Sequence, residues 1–549
     1  RRSSDYKQEI IMSGNAIYNN LLGINNKNPA SIQTKPFNKN MVVNNTGGMV
    51  FAQDNFSRLR RWLILGSEKN GYYVSAKDNT VKNVQCLQDC IKENYKDTVD
   101  LIAQVSKDGI APKNDQCVLA LALVTCAGNV EATKYALSKL REVCRIGTHL
   151  FQFCETLNNL RGWGKSVRTA VSDWYQQRDL SSLVYQVTKY QNREGWRHRD
   201  VLRLAHPKFE NKDFNKVANW MVKGEVDFPC KPKKDLLTLW AFEKAKKATN
   251  EKEIIELINN YGLVREHIPT NFLNSVAVWE ALLENMPMNA LVRNLGKMTS
   301  IGLLKPLSKA TKLVVEKLND DEYIKNSYLH PVSVLNAITV YKQGKGDKGS
   351  LTWSPVSNIR DALNSAFYSA FKYIKPTNKN WLLGIDVSGS MTGACVTGLP
   401  LLMARDAAAC MAMATYRTEP WVEAFGFCGE LVDLNISKND SLETVCSKVQ
   451  KSNFGSTNPG ALFEHAIKNR LDVDAFVVYT DGEVNHGKHV FQLLDKYQQI
   501  VGKPSKFIMC GFTSNGFTLA DPSDFNSMDI AGFDSSAPAI MSEFVSGNV

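Results

Sequence analysis

Gly384-Ile-Asp-Val-Ser-Gly-Ser-Met-Thr-Gly393 decides how the C-terminal part of this 549-residue chain folds. An apolar run at 381–385 reads as a strand and leads directly into Asp386, Ser388 and Ser390 at alternate positions. A carboxylate and two hydroxyls at that spacing, just past a strand end, offer three hard oxygen ligands to one small cation. Two later segments can complete the shell: Thr457 in Gly455-Ser-Thr-Asn-Pro-Gly460, and Asp481, which ends the apolar run 475–480. An octahedral ion such as Mg²⁺ usually keeps waters or takes an outside ligand, so the expected site has an open face suited to water or a partner's carboxylate. The competing reading of each segment is a strand end followed by an ordinary turn. Three separated segments with the same oxygen chemistry favour the metal.

The surroundings of these ligands read as α/β. Strands are expected at 381–385, 422–427, 475–479 and 507–511, and helices at 399–416, 441–451, 459–469 and 490–499. Apolar strands alternating with helices give a doubly wound parallel sheet covered on both faces. All the candidate ligands fall at the carboxyl ends of strands or in the loops that follow, where such sheets bind ligands.

Before residue 377 the pattern differs. Residues 1–49 contain ten Asn and no helical or strand period, which predicts a flexible arm. From Phe56 onward, runs with helical periodicity follow one another, among them 118–125, 133–143, 180–190, 234–247 and 252–261. Breakers recur at Gly147, Gly195, Pro207, Gly262, Pro287 and Pro331, as between paired antiparallel helices. So much helix cannot fill one bundle, whereas an α-solenoid of stacked pairs lets neighbours supply the missing core. The domains expected are therefore an arm at 1–49, a helical-repeat body at 50–376 and an α/β domain at 377–549.

Charge divides the same way. The chain has 66 Lys and Arg against 55 Asp and Glu, a net of +11, but residues from Thr377 onward carry 12 against 19. The first 376 residues are thus +18 and the remainder −7. A basic body implies a polyanion partner. Between Arg161 and Lys208 lie ten Lys or Arg and four Asp or Glu. Arg161, Lys165, Arg168, Lys189, Arg193, Arg197, Arg199, Arg203 and Lys208, with His198 and His206, are the candidate nucleic-acid-binding residues. Their charges would neutralise phosphates with little sequence content, and His198 and Arg197 could reach bases or 2′-hydroxyls. For any one of them the alternative is a solvated helix face, and most of the interleaved Trp residues read as core. Arg265, Arg293 and Lys297 with His267 form a second candidate, or else a buried charged network.

Twelve Cys without zinc spacing read as scattered thiols of a reducing compartment. No apolar run approaches the roughly 20 residues that span a bilayer. These features read as an intracellular protein without a membrane partner; it is expected in cytoplasm and nucleus and as a monomer. His486 and His489 read as part of a polar loop. Gly162-Trp-Gly-Lys-Ser166 ends like a phosphate-binding loop, but Asn159 stands where the first Gly belongs and no strand precedes it. Asp386-Val-Ser388 lacks the second Asp of an aspartyl-phosphate enzyme, and no base sits near the metal ligands, so no enzymatic activity is expected.

The Asp-x-Ser-x-Ser, Thr and Thr-Asp-Gly elements resemble a von Willebrand factor A-type domain with its metal-ion-dependent adhesion site. The helical half carries Ser57-Arg-Leu-Arg-Arg-Trp62, Gly66-Ser-Glu-Lys with Tyr72-Tyr73, Val143-Cys-Arg-Ile146, Thr148-His-Leu-Phe151, Val187-Thr-Lys-Tyr190 with Gly195-Trp196 and His198, Leu263-Val-Arg-Glu-His267 and Arg293-Asn-Leu-Gly-Lys-Met-Thr299. With Thr513-Ser-Asn-Gly-Phe517 and Ala520-Asp-Pro522, these resemble the Ro 60 kDa autoantigen family over residues 50–549. The resemblance implies a ring of HEAT-like repeats, the TROVE module, closed by the A-type domain. It implies binding of Y RNA on the outer surface and of single-stranded 3′ ends of misfolded noncoding RNAs through the hole. A protein-interaction adaptor, capturing acidic partner residues through the metal site, is the alternative.

Overall fold

The computed structural model describes residues 32–67, 75–327, 329–346, 350–371, 374–396, 399–450 and 455–548. The expected arm up to residue 31, and Glu68, Lys69, Tyr72 and Tyr73 of the motifs above, lie outside the described residues.

The helical period is realised from Asn55–Leu65 to Ser357–Ser369. The five runs read from sequence fall in helices Asp115–Cys126, Val130–Ser138 with Leu140–Val143, Leu180–Lys189, Leu237–Lys247 and Glu251–Tyr261. Side-chain caps start many of them: Ser75, Asn129, Asp179, Asn250, Ser275 and Ser308 each accept a backbone N–H of the first turn. Gly262 ends its helix in left-handed backbone at φ 63°, a conformation that costs glycine no Cβ clash, and its N–H returns to Ile258 O. The long helix Ala76–Asp108 breaks at Asn94, whose side-chain oxygen accepts the N–H groups of Lys96 and Asp97 and restarts it.

Helices pack on near neighbours in the series, as Asn55–Leu65 on Ala76–Asp108, Asp115–Cys126 on Gly147–Leu160 and Pro331–Gln343 on Ser357–Ser369. The carbonyl of Ile110, just past the first long helix, accepts from His330 Nε2 (2.9 Å) at the start of Pro331–Gln343. It also accepts from the Ser535 amide of the C-terminal domain (3.2 Å). First helices, last helices and C-terminal domain thus meet on one oxygen, which closes the helical ring.

The C-terminal domain is built on a six-stranded sheet in the order Ser527–Ala531, Lys506–Gly511, Ala475–Thr480, Asn380–Asp386, Trp421–Phe427 and Leu431–Val432. All neighbours are parallel except the last pair. Side chains alternate between two apolar layers. Leu383, Ile385, Val477 and Tyr479 join the core that continues into the ring, while Leu382, Phe476, Val478 and Phe507 face the second core.

Two expectations need correction. The apolar run at 399–416 is not one helix: Leu399–Met403 is a strand paired with Cys395–Val396, and the helix is Ala404–Thr418. Pairing with that short strand and packing on the ring helix Pro331–Gln343 override the helical period there. The arm, in turn, is structured from Ile32. Met41–Val43 and Met49–Ala52 form a hairpin, and the second strand pairs with Phe517–Thr518 of the C-terminal domain. Within the arm Gln33 and Asn44 are buried, which an Asn-rich composition does not announce.

Candidate nucleic-acid face and metal centre

Helix Lys165–Gln176, the helix Leu180–Lys189, a two-residue-per-strand hairpin at 192–197 and helix His198–Ala205 carry the predicted basic cluster. Arg161, Lys165, Arg168, Arg193, Arg197, Arg203, His206 and Lys208 are exposed, and Arg199 is half-buried. Arg193 pairs with Glu194 and Arg199 with Asp200, while Lys165, Arg168, Arg197, Arg203 and Lys208 form no ion pair among the described residues. Exposed cations left without counterions are free to neutralise phosphates.

Three of the predicted residues are otherwise engaged, Arg161 through Nη1, which donates to Thr125 O (2.7 Å). Lys189 is half-buried, donates to Tyr185 Oη (2.8 Å) and lies over the rings of Tyr185 and Tyr190. His198 is buried. Its Nδ1 meets Tyr175 Oη and its Nε2 meets Tyr190 O, both at 2.8 Å. Burial lowers its pKa to about 4, so the ring is neutral, accepting at Nδ1 and donating at Nε2. His198 therefore pins the hairpin to the helix beneath it. Replacing it by Ala leaves the Tyr175 hydroxyl and the Tyr190 carbonyl unmatched, at about 1–3 kcal/mol for each buried polar group. The expected outcome of His198→Ala is a lower unfolding midpoint and weakened RNA binding, with His198→Gln recovering part of both.

Trp163 and Trp196 stack at 5.9 Å between centroids, and Trp196 Nε1 donates to Glu155 (2.7 Å). Trp174 is buried, with Arg178 over its ring. The second cluster is not a buried charge network. Arg265, Arg293 and Lys297 line a cavity of about 590 Å³ that also reaches Asn336, Trp353 and, from the C-terminal domain, Leu399. His267 is buried away from it, bonded to Thr188 Oγ1 and the Val264 amide.

The metal candidates converge at the carboxyl edge of the sheet. Asp386 ends one central strand and Asp481 follows the adjacent one, in a register that pairs Tyr479 with Ile385. Asp386 accepts from the Ser388 amide (2.9 Å) and from Thr480 Oγ1 (2.5 Å). The Ser388 and Ser390 hydroxyls lie 3.0 Å apart, and Ser390 reaches Asp481. Thr457, also buried, is tied to the same place through its backbone: its amide donates to Asn485 Oδ1 (3.0 Å), and its carbonyl accepts from the Asn485 and His486 amides (3.2 Å each). Burial, then the Asp481 charge, pushes Asp386 up to about 7, and burial raises Asp481. Two buried carboxylates and three buried hydroxyls, with no Lys or Arg paired to either carboxylate among the described residues, fit a small divalent cation better than any neutral ligand.

Residues outside the sequence prediction support this cradle. Glu483, buried and pushed up to about 7 by burial and then by Asp481, accepts from Asn45 and Asn515. Thr480 adds a hydroxyl to Asp386. Glu483 and Thr480 adjoin Asp481 in sequence and could have been suspected; Asn45, more than four hundred residues away, had no signal.

Comparison with known proteins agrees with this architecture. Residues 42–379 match the TROVE domain and residues 380–545 the Ro60 vWA domain. A Caenorhabditis elegans protein named RNA-binding protein RO60 is 34% identical, over 92% of this chain and 90% of its own. A Deinococcus radiodurans protein of the same name is 37% identical, over 94% of this chain and 97% of its own. The crystal structure of Deinococcus radiodurans RO (RSR) protein superimposes with a TM-score of 0.68 at 36% identity, covering 90% of this chain and 100% of that one. A closed helical ring followed by an A-type domain, matched along nearly its whole length by these relatives, places the chain in the RO60 family.

Proposed function

We propose that this protein is an RNA-binding scaffold that works by recognition rather than catalysis. Its outer basic face takes Y RNA, and the ring passage takes single-stranded 3′ ends of misfolded small noncoding RNAs, in the cytoplasm and nucleus. The observation that carries the reading is the row of exposed cations without carboxylate partners: Lys165, Arg168, Arg197, Arg203 and Lys208. The cavity lined by Arg265, Arg293 and Lys297 supports a second, interior contact for a strand with no duplex partner. Discrimination would come from shape, since a helix end cannot enter where a single strand can.

Titrating a Y-type hairpin RNA against salt tests the face. Phosphate neutralisation predicts a steep linear loss of log affinity with log salt concentration. The double substitution Lys165→Ala/Arg168→Ala should lower that slope by about one per lost phosphate contact and weaken all RNAs alike. An unchanged slope would remove this face from the interface.

The cation cradle favours a second activity, capture of an acidic partner side chain at the open position of a bound Mg²⁺. Asp386, Ser388, Ser390, Thr457 and Asp481 would hold the ion, directly or through water, and the ion would supply the positive charge that orients a carboxylate. Asp386→Ala or chelation should abolish such capture and leave the RNA affinity of the basic face intact.

A further inference from the structure

We propose that the segment 32–52, which precedes the first ring helix, is a positioning strap for the cation cradle, so that its docking and cation binding are thermodynamically linked. The inference rests on the cation reading of Asp386 and Asp481. The loop 481–489 carries Asp481 and fixes Thr457 through Asn485, and the strap grips this same loop along its length. Asn44 Nδ2 donates to Val484 O (2.7 Å) and Gly482 O (3.3 Å), and Thr46 Oγ1 donates to Val484 O (3.2 Å). The Asn45 amide (3.1 Å) and its Nδ2 (2.6 Å) take the two oxygens of Glu483. Further on, the Gln33 amide donates to Gly487 O (3.0 Å), and His489 Nε2 bonds Lys35 O (2.9 Å). Phe37 and Phe51 both set edges against Phe491, at 5.2 and 5.5 Å.

The approach is close enough to demand glycine: a Cβ on Gly48 would stand 1.8 Å from Val484 O. Three of the four residues that donate to Glu483 or the adjacent carbonyls, Asn44, Asn45 and Thr46, come from the strap, the fourth being Asn515. Without the strap, the two residues after Asp481 lose the partners that hold their backbone and carboxylate in place. A ligand set placed in advance binds its ion more tightly, and linkage is reciprocal, so the ion must hold the strap by the same factor.

Mn²⁺ binding to the full-length chain, followed calorimetrically, tests this. Gly48→Ala and Asn45→Ala should each weaken Mn²⁺ binding about ten-fold, a coupling of typical size, whereas Lys39→Ala, on the exposed side of the strap, should not. RNA affinity, set on distant helices, reports whether each variant is folded. In the unaltered protein, Mn²⁺ should protect amides at 41–52 from hydrogen exchange, and chelation should release them. Equal Mn²⁺ affinities in all variants, with exchange at 41–52 indifferent to the ion, would overturn the strap proposal. Absence of Mn²⁺ binding in the unaltered protein would instead overturn the cradle on which it rests.

Discussion

Lowering the pH from 7 to 5 is expected to loosen the helical ring while leaving the metal-free A-type domain as stable as before or more so. Three buried histidines, His198, His267 and His330, each have a pKa lowered by burial to about 4, against 6.5 in the unfolded chain. Between those values the unfolded state binds protons that the folded state refuses. The stability they contribute is therefore complete above pH 6.5 and is lost as the pH falls toward 4, at about 1.4 kcal/mol per pH unit for each ring. Geometry explains the refusal. Every one of the three donates or bonds at Nε2 and accepts at Nδ1, from the Tyr175 hydroxyl, the Val264 amide and the Val332 amide respectively. A proton on Nδ1 removes that acceptor, and at His330 it disturbs the residue whose Nε2 closes the ring on Ile110. For the buried carboxyls of the A-type domain the sign reverses. Asp386 and Glu483, raised to about 7, favour the folded state at pH below the unfolded carboxylate range and lose that contribution as the pH rises through 7. Hydrogen exchange resolved by region should therefore show opening at 188–198, 264–267 and 330–332 on acidification, before the sheet. Uniform exchange in both domains between pH 7 and 5 would contradict it.

The sequence displayed most of this arrangement because most of it is periodic. Helical spacing located the ring helices, apolar strands alternating with helices gave the parallel sheet, and oxygen ligands at strand ends pointed to one corner of it. What escaped was set by contacts remote in the chain. Nothing local in Leu399–Met403 says strand; its partner Cys395–Val396 and the ring helix beside it do. Nothing local in Asn45 says that it will bind Glu483. His198 illustrates a different gap: residue type and neighbours marked it as a donor for RNA, but only packing reveals that both nitrogens are already used. Exposure, which differs between Lys165 and Lys189, is likewise a tertiary property.

Arg61→Ala is expected to detach the A-type domain from the ring. Arg61 lies on the first ring helix, Asn55–Leu65, and is 1% exposed. Its guanidinium bonds the Asp529 carboxylate on the edge strand Ser527–Ala531 and donates to Phe517 O (2.8 Å). Beside it, Arg60 pairs with Asp534 (2.7 Å), and Gln53 donates to Asp529 (2.9 Å). Gly511 leaves room for the guanidinium, since a Cβ there would stand 2.6 Å from its central carbon. Removing one member of a buried pair strands the other, at about 3–5 kcal/mol, whereas removing both costs less than the sum. Arg61→Ala and Asp529→Ala should therefore each lower the unfolding midpoint of the A-type domain strongly, and the double variant should recover part of the loss. The Arg161 to Lys208 face makes none of these contacts, so RNA affinity of the folded variant should stay near that of the unaltered protein. If instead RNA affinity fell in step with the interface, the basic face would depend on how the A-type domain sits, and the two halves would have to be treated as one binding unit.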